Sequence, residues 1–195
     1  VLKIDPEEFR KGLRAFTTGV TVVTMPDGNG GMHGMTASSF AAVSVNPQLV
    51  AVSIAKTAKS HALLAGDDCY AINILGESQS FHGNYFANRM PERWEPPHHW
   101  VDGTPILSGT MGWFLCRRWA AYEGGDHTIL VGEALKIHRT DDRPLVCNRG
   151  VFYSLGPAVE AVRPERPRTA PSRASTPQAP LFRRKSERNS WQTRL

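Results

Sequence analysis

The chain has 195 residues and a formal charge of +5, enough for one ordinary domain. Hydrophobic residues make up 41% of it, which suits a globular core, and no apolar run reaches the ~20 residues of a membrane-spanning helix. The charge does not mark a nucleic-acid binder. Residues 157–195 hold nine Lys/Arg against three acids, and the rest, with 14 basic and 15 acidic residues, carries −1, so it has no general phosphate-binding field.

In chain order, Asp5-Pro6-Glu7-Glu8 predicts a helix start. Asp5 can cap, Pro6 suits the first helical position, and the two acids favour the positive end of the dipole. Phe9, Leu13 and Phe16 then recur at helical spacing until Gly19 stops the run, and this stripe is expected to pack into the core. Residues 20–25 read as a strand, 26–31 as a turn by composition, and 33–38 as the return strand of a hairpin. Asn46-Pro47 breaks the chain before an apolar strand, 49–54. A short helix is expected near 60–65, a strand over 69–75, and a helix over 78–88 with Phe81, Tyr85 and Phe86 as its apolar positions. Residues 89–103, with Pro91, Pro96 and Pro97, read as a long irregular excursion. Two long strands, 112–122 and 128–138, are joined tightly through Gly124-Gly125-Asp126. Short strands near 145–147 and 152–155 close the domain.

Many hairpin-joined strands with two or three short helices predict a mainly β fold, an antiparallel barrel with helices at its rim. From Pro157 onward, six prolines, many Arg and Ser and almost no aliphatic residues cannot bury a core. Residues 1–156 therefore read as the domain and 157–195 as a disordered tail. Cys69, Cys116 and Cys147 are odd in number and form no C-x-x-C. They read as reduced thiols of a cytoplasmic protein, with Cys69 and Cys116 buried in strands.

The most informative stretch is Gly34-Met35-Thr36-Ala37-Ser38-Ser39-Phe40. Small and hydroxyl residues dominate it, so a flat ligand could approach the backbone and take hydrogen bonds from Thr36, Ser38 and Ser39. Phe16-Thr17-Thr18-Gly19-Val20-Thr21-Val22-Val23-Thr24 precedes it, and Asn46-Pro47, Lys59-Ser60 and Gly125-Asp126-His127 follow. This ordered set, from about Asp5 to Leu155, resembles the short-chain flavin reductases, the reductase components of two-component flavin-dependent monooxygenases.

The resemblance implies a split antiparallel β-barrel of the FMN-binding type, working as a homodimer with the flavin near the subunit interface. It places Thr36, Ala37, Ser38 and Ser39 on the ring-binding strand and Ser53, Ile54 and Ala55 on the next flavin-contacting strand end. Lys59 and Ser60 fall on the phosphate-binding pair, and their place at a helix start suits an anion. Lys56 and Thr57 are a second choice. Tyr85, Phe86 and Ala87 fall on a further flavin-contacting segment. Ala58 stands where many relatives carry Ser. His127 falls at the active site, beside the stacked nicotinamide. Phe152 takes the position of a nicotinamide-side Tyr, with Tyr153 its neighbour.

The implied activity is an NAD(P)H:flavin oxidoreductase that reduces FMN or FAD with NADH or NADPH and supplies reduced flavin to a partner monooxygenase. The alternative is a non-catalytic flavin- or haem-binding split-barrel protein, a carrier or sensor; Gly125-Asp126-His127 favours the enzyme. No zinc pattern, Gly-x-Ser-x-Gly elbow or Gly-x-Gly-x-x-Gly fingerprint occurs. No metal, nucleic acid or membrane is therefore expected, and a nicotinamide would have to bind over the flavin.

Overall fold

Antiparallel strands carry the architecture in the computed structural model, which describes residues 3–66, 68–90 and 94–159. A seven-stranded sheet contains β2 (Thr21–Pro26), β3 (Met32–Ala37), β4 (Ala41–Val45), β5 (Gln48–Ala55), β6 (Cys69–Ile74), β9 (Gly112–Gly124) and β10 (His127–Arg139), in the order β3-β2-β6-β9-β10-β5-β4. Three further strands, β1 (Thr18–Gly19), β11 (Leu145–Asn148) and β12 (Val151–Ser154), form a small sheet. The hairpin β7 (His98–Val101) and β8 (Thr104–Leu107) stands apart from both. Three short helices complete the body: α1 (Pro6–Arg14), α2 (Lys59–Gly66) and α3 (Ser80–Tyr85).

The large sheet curls around its own core. Val23, Met25, Val52, Ile54, Tyr70, Ile72, Cys116 and Leu130 come from five of its strands, yet they form one buried cluster that also takes Leu64 of α2. Alternation along β5 shows how the sequence achieves this: Val50, Val52 and Ile54 are buried while Ala51, Ser53 and Ala55 are half-exposed, the period-2 pattern of a strand with one face inward. At Gly132 an added Cβ would meet the Tyr70 hydroxyl at 2.2 Å, so the barrel accommodates that large ring only because β10 has no side chain there.

A second cluster, with Val20, Val22, Leu75, Phe86, Leu107 and Leu145, lies on the other side of β2. Buried Asn73 organises it. Its amide donates to the Val22 carbonyl at 3.0 Å and to the Thr24 hydroxyl at 2.9 Å, and its oxygen accepts from the Leu107 N–H at 2.9 Å. Thr24 donates onward to the Pro105 carbonyl at 2.6 Å. This network fastens β8 to the sheet.

Several expectations need correction. Asp5 does cap α1, accepting from the Glu7 and Glu8 N–H groups at 2.9 and 3.1 Å. The helix ends at Arg14 rather than at Gly19, and its apolar stripe is not core: Phe9, Leu13 and Phe16 are 55%, 59% and 78% exposed. Amphipathic spacing reports that one face is apolar, not what covers it. The excursion at 89–103 contains β7, and β1, β4 and β8 also escape the sequence pattern. These strands are only two to five residues long, and β4 is rich in alanine, a poor strand former. The helix expected at 78–88 divides into a 3₁₀ turn, Glu77–Gln79, and α3. Cys116 is buried, but Cys69 is only half-buried. Residues 160–195, nearly all of the expected disordered tail, lie outside the described residues.

Asn73→Ala should remove three buried hydrogen bonds and strand the Leu107 N–H. We expect a loss of about 2–3 kcal/mol in urea unfolding, the scale of leaving buried polar groups unsatisfied. A loss under about 0.5 kcal/mol, the range of an ordinary surface change, would show that the network does not hold β8.

Candidate active site

The connection from β3 to β4 crosses from one end of the large sheet to the other, and it contains Ser38 and Ser39. The Ser39 hydroxyl accepts from the Ser53 N–H at 2.9 Å and donates to the Ser53 carbonyl at 3.2 Å. It therefore satisfies the free edge of β5 where β4, which pairs only with residues 48–51, no longer covers it. Ala55, two residues along, is the register partner of His127 on β10. Residues 36–39, 53–55 and 127, far apart in sequence, thus gather around one split in the barrel.

Thr36 ties a further segment to this split. Its hydroxyl donates to the Gly83 carbonyl at 2.8 Å, and its N–H donates to the Phe86 carbonyl at 3.1 Å. Gly83 in turn lies under the Phe152 ring, where an added Cβ would approach to 2.8 Å. Gly34 likewise lies under the Phe86 ring, with the corresponding approach at 2.5 Å. Each glycine is required by an aromatic side chain seated on its backbone.

The expected site residues divide by what remains free. Thr36 and Ser39 spend their hydroxyls within the protein, whereas Ser38 is exposed, with no hydrogen bond to its hydroxyl among the described residues. Ala37 and Ile54 are buried, so they offer backbone rather than side chain. Lys59 is exposed at the start of α2 and has no ion pair among the described residues, while Lys56 is paired with Glu123. Ser60 is only 2% exposed and lies 3.0 Å from His33 Nε2. Tyr85 donates to the Trp94 carbonyl at 2.6 Å, and Ala87 is half-buried. Tyr85 and buried Phe86 also line a separate cavity of about 720 Å³ with His33, Trp94 and Trp100. Phe152 packs inward and Tyr153 is exposed.

His127 opens β10 after the turn at Gly125, whose φ is +75°. Its Nδ1 lies 2.8 Å from Asp126 Oδ1. The hydrogen bond and charge of His127 hold the Asp126 carboxyl below its ordinary range.

Two histidines not anticipated from sequence hold α2 across the barrel. His33 of β3 meets Ser60, and His61 Nε2 lies 2.9 Å from the Thr128 hydroxyl of β10. Nothing in the local pattern marks either residue, because each gains its partner only when the sheet curls.

The profile described as Flavin reductase like domain matches residues 13–156. The chain belongs to this flavin reductase family. It is 40% identical over 152 residues to the FMN reductase (NADH) SmoA of Agrobacterium fabrum, covering 76% of this chain and 85% of that protein. It is 33% identical over 158 residues to HsaB of Rhodococcus jostii, the reductase subunit of a flavin-dependent monooxygenase, covering 79% and 80%. The solved structure of flavin reductase PheA2 superposes with a TM-score of 0.76 at 34% identity, covering 79% of this chain and all of that one. The fold is the family's mainly antiparallel β architecture with three short helices.

The donor set at the split fits a flavin. Ser38 offers a free hydroxyl beside exposed backbone, small residues let a ring approach, and Lys59 stands free at a helix start. A flat ring rich in hydrogen-bonding atoms and a phosphate are the groups such a surface would hold.

Burial, and secondarily the Lys59 charge, depress the His33 pKa below 6.5. The unfolded chain then binds more protons as the pH falls below about 6.5, so the stability carried by neutral His33 is present above that pH and lost below it. Stability should therefore fall between pH 7 and pH 5, and His33→Gln should flatten the fall. An unchanged pH profile in that variant would remove His33 from the acid sensitivity.

Proposed function

We propose that this chain is an NAD(P)H:flavin oxidoreductase that reduces FMN or FAD and delivers the reduced flavin to a partner monooxygenase. The observation that carries the reading is the register of His127 against Ala55, which sets the Gly-Asp-His turn beside the strand end expected to edge the flavin. A bound flavin would supply the hydride-accepting ring; the chain's own residues bind, orient and screen.

In this reading the Ser38 hydroxyl and the backbone at 37–39 bind the ring edge. Ser53, Ile54 and Ala55 line its flank, and Lys59 at the start of α2 neutralises the phosphate. Ser60 and Thr36 act from behind, Ser60 by anchoring α2 to His33 and Thr36 by anchoring the 83–87 segment. Asp126 fixes the His127 proton on Nδ1, which leaves Nε2 to orient the nicotinamide side of the reaction. Phe152 and Tyr153 supply the aromatic wall there. Because few donors remain free, the flavin is held moderately and can leave as a product.

Related family proteins that serve monooxygenases, such as the HsaB subunit, support the partner assignment. A homodimer follows from the resemblance, and Phe9 and Leu13 of α1 with Phe16 just beyond it, exposed among the described residues, offer apolar surface for it. In this reading residues 1–156 form the flavin reductase domain and 157–195 the Pro/Arg/Ser-rich tail, nearly all of which lies outside the described residues. Three free cysteines suit the cytoplasm, and no helix of the described residues is long and apolar enough to cross a membrane.

Anaerobic mixing of the protein with FMN and NADH should bleach the flavin absorbance. His127→Ala should keep flavin affinity within a few-fold and raise the NADH KM or slow reduction by about tenfold or more, as for lost positioning at a transfer step. Wild-type reduction by the variant would demote His127 to a turn residue. Absence of reduction by the wild-type protein would favour the carrier reading.

A further inference from the structure

The cavity of about 720 Å³ at the start of β3 is walled by four aromatic rings, Tyr85, Phe86, Trp94 and Trp100, and by two carboxylates, Asp27 and Glu95. No Lys or Arg lines it among the described residues. A volume of this size takes a whole small molecule. Gly34 on its wall precedes Ala37 of the split by about 10 Å along the strand.

These walls are held by the fold itself. Trp94 is gripped edge-on by Phe81, His82 and Tyr85, with ring centroids 4.9, 4.7 and 5.2 Å away, and the Tyr85 hydroxyl donates to the Trp94 carbonyl at 2.6 Å. Phe86 is seated on Gly34. Asp27 is fixed in the turn between β2 and β3, where its carboxylate accepts from the Asn29 and Gly31 N–H groups, both at 2.8 Å. Those two bonds, and to a smaller extent the Lys59 charge, hold the Asp27 carboxyl below its ordinary range, so it is ionised at neutral pH. Glu95 is exposed and has no ion pair among the described residues.

Rings and carboxylates together select the sign of a ligand's charge. An aromatic face attracts a cation through its quadrupole, and the two acids attract it by Coulomb force. Both repel an anion. A nucleotide could stack on the same rings, but it would bring its phosphates up to Asp27 and Glu95. Trp100 is 44% exposed, so part of the aromatic surface stays open to a ligand instead of being consumed by packing. We propose that this cavity binds a small organic cation, with a quaternary ammonium group seated among Tyr85, Trp94 and Trp100 and with Asp27 and Glu95 as its counter-charge. Such a site is separate from the flavin split and stands whether or not the chain reduces flavin.

The probe is choline, titrated into the full chain and followed by ligand-observed NMR at pH 8, above the ordinary imidazole pKa of about 6.5. Its control is the neutral analogue with carbon in place of nitrogen (dimethylbutanol), which has the same shape and no charge. Choline should bind about tenfold more tightly than the control. Trp100→Leu and Glu95→Gln, both at exposed positions, should keep wild-type circular dichroism and FMN affinity, and each should weaken choline by about three- to tenfold, the scale of one cation–π contact or one nearby charge. Saturating FMN should leave choline affinity within a few-fold. The proposal is overturned if the wild-type chain does not bind choline at tens of millimolar, if the neutral analogue binds equally well, or if both folded variants bind choline as the wild type does. Tighter binding of adenosine than of choline would assign the cavity to a nucleobase, and mutual exclusion of choline and FMN would make it part of the flavin site; either result also overturns the proposal.

Discussion

The structure depends on how the barrel deals with its split. β3 lies at one end of the large sheet, and β5 is uncovered beyond Ala51 near the other. Open strand edges present unpaired N–H and C=O groups, which a protein must cover or use. Here the coverage is minimal: the Ser39 hydroxyl occupies both the N–H and the C=O of Ser53, and α2 is clamped beside the opening by His33 and His61. The sheet is thereby fixed in a curled state without closing the seam with a ladder of backbone bonds.

That economy explains the character of the site. Hydroxyls that hold the fold, on Thr36, Ser39 and Ser60, are distinct from the groups left free to meet a ligand, on Ser38 and Lys59. On the proposed reading, positioning residues therefore sit directly behind binding residues in the same short motifs. The aromatic rings seated on Gly34 and Gly83 tie α3 to β3 and β12, so the walls on either side of the split belong to one packed unit. On the proposed reading, such a surface orients the ring through packed backbone and grips it through few free groups, which suits a ligand that leaves after each cycle.

Much of this was legible in the residues. The long strands, the turn at Gly124-Gly125-Asp126 and the cap at Asp5 announce themselves through local chemistry, and the order of the motifs pointed to the family. The rest depends on partners brought in by tertiary structure. His33 and His61 look like isolated strand and helix residues until α2 docks. Ser60 reads as a free hydroxyl until the same packing buries it. The stripe of Phe9, Leu13 and Phe16 carries a sound helical pattern, yet its pattern could not reveal that nothing among the described residues buries it. The short strands β1, β4, β7 and β8 are set by their neighbours rather than by their own propensities.

The central claim is that flavin occupies the split between β3 and β5. Hydrogen–deuterium exchange of the full chain with and without FMN tests it most directly. The account predicts that FMN slows exchange at residues 37–40, 53–60 and 125–127 while leaving the β7–β8 hairpin unchanged. Protection confined to residues 94–101, beside the separate cavity lined by Trp94 and Trp100, with the split unaffected, would contradict it.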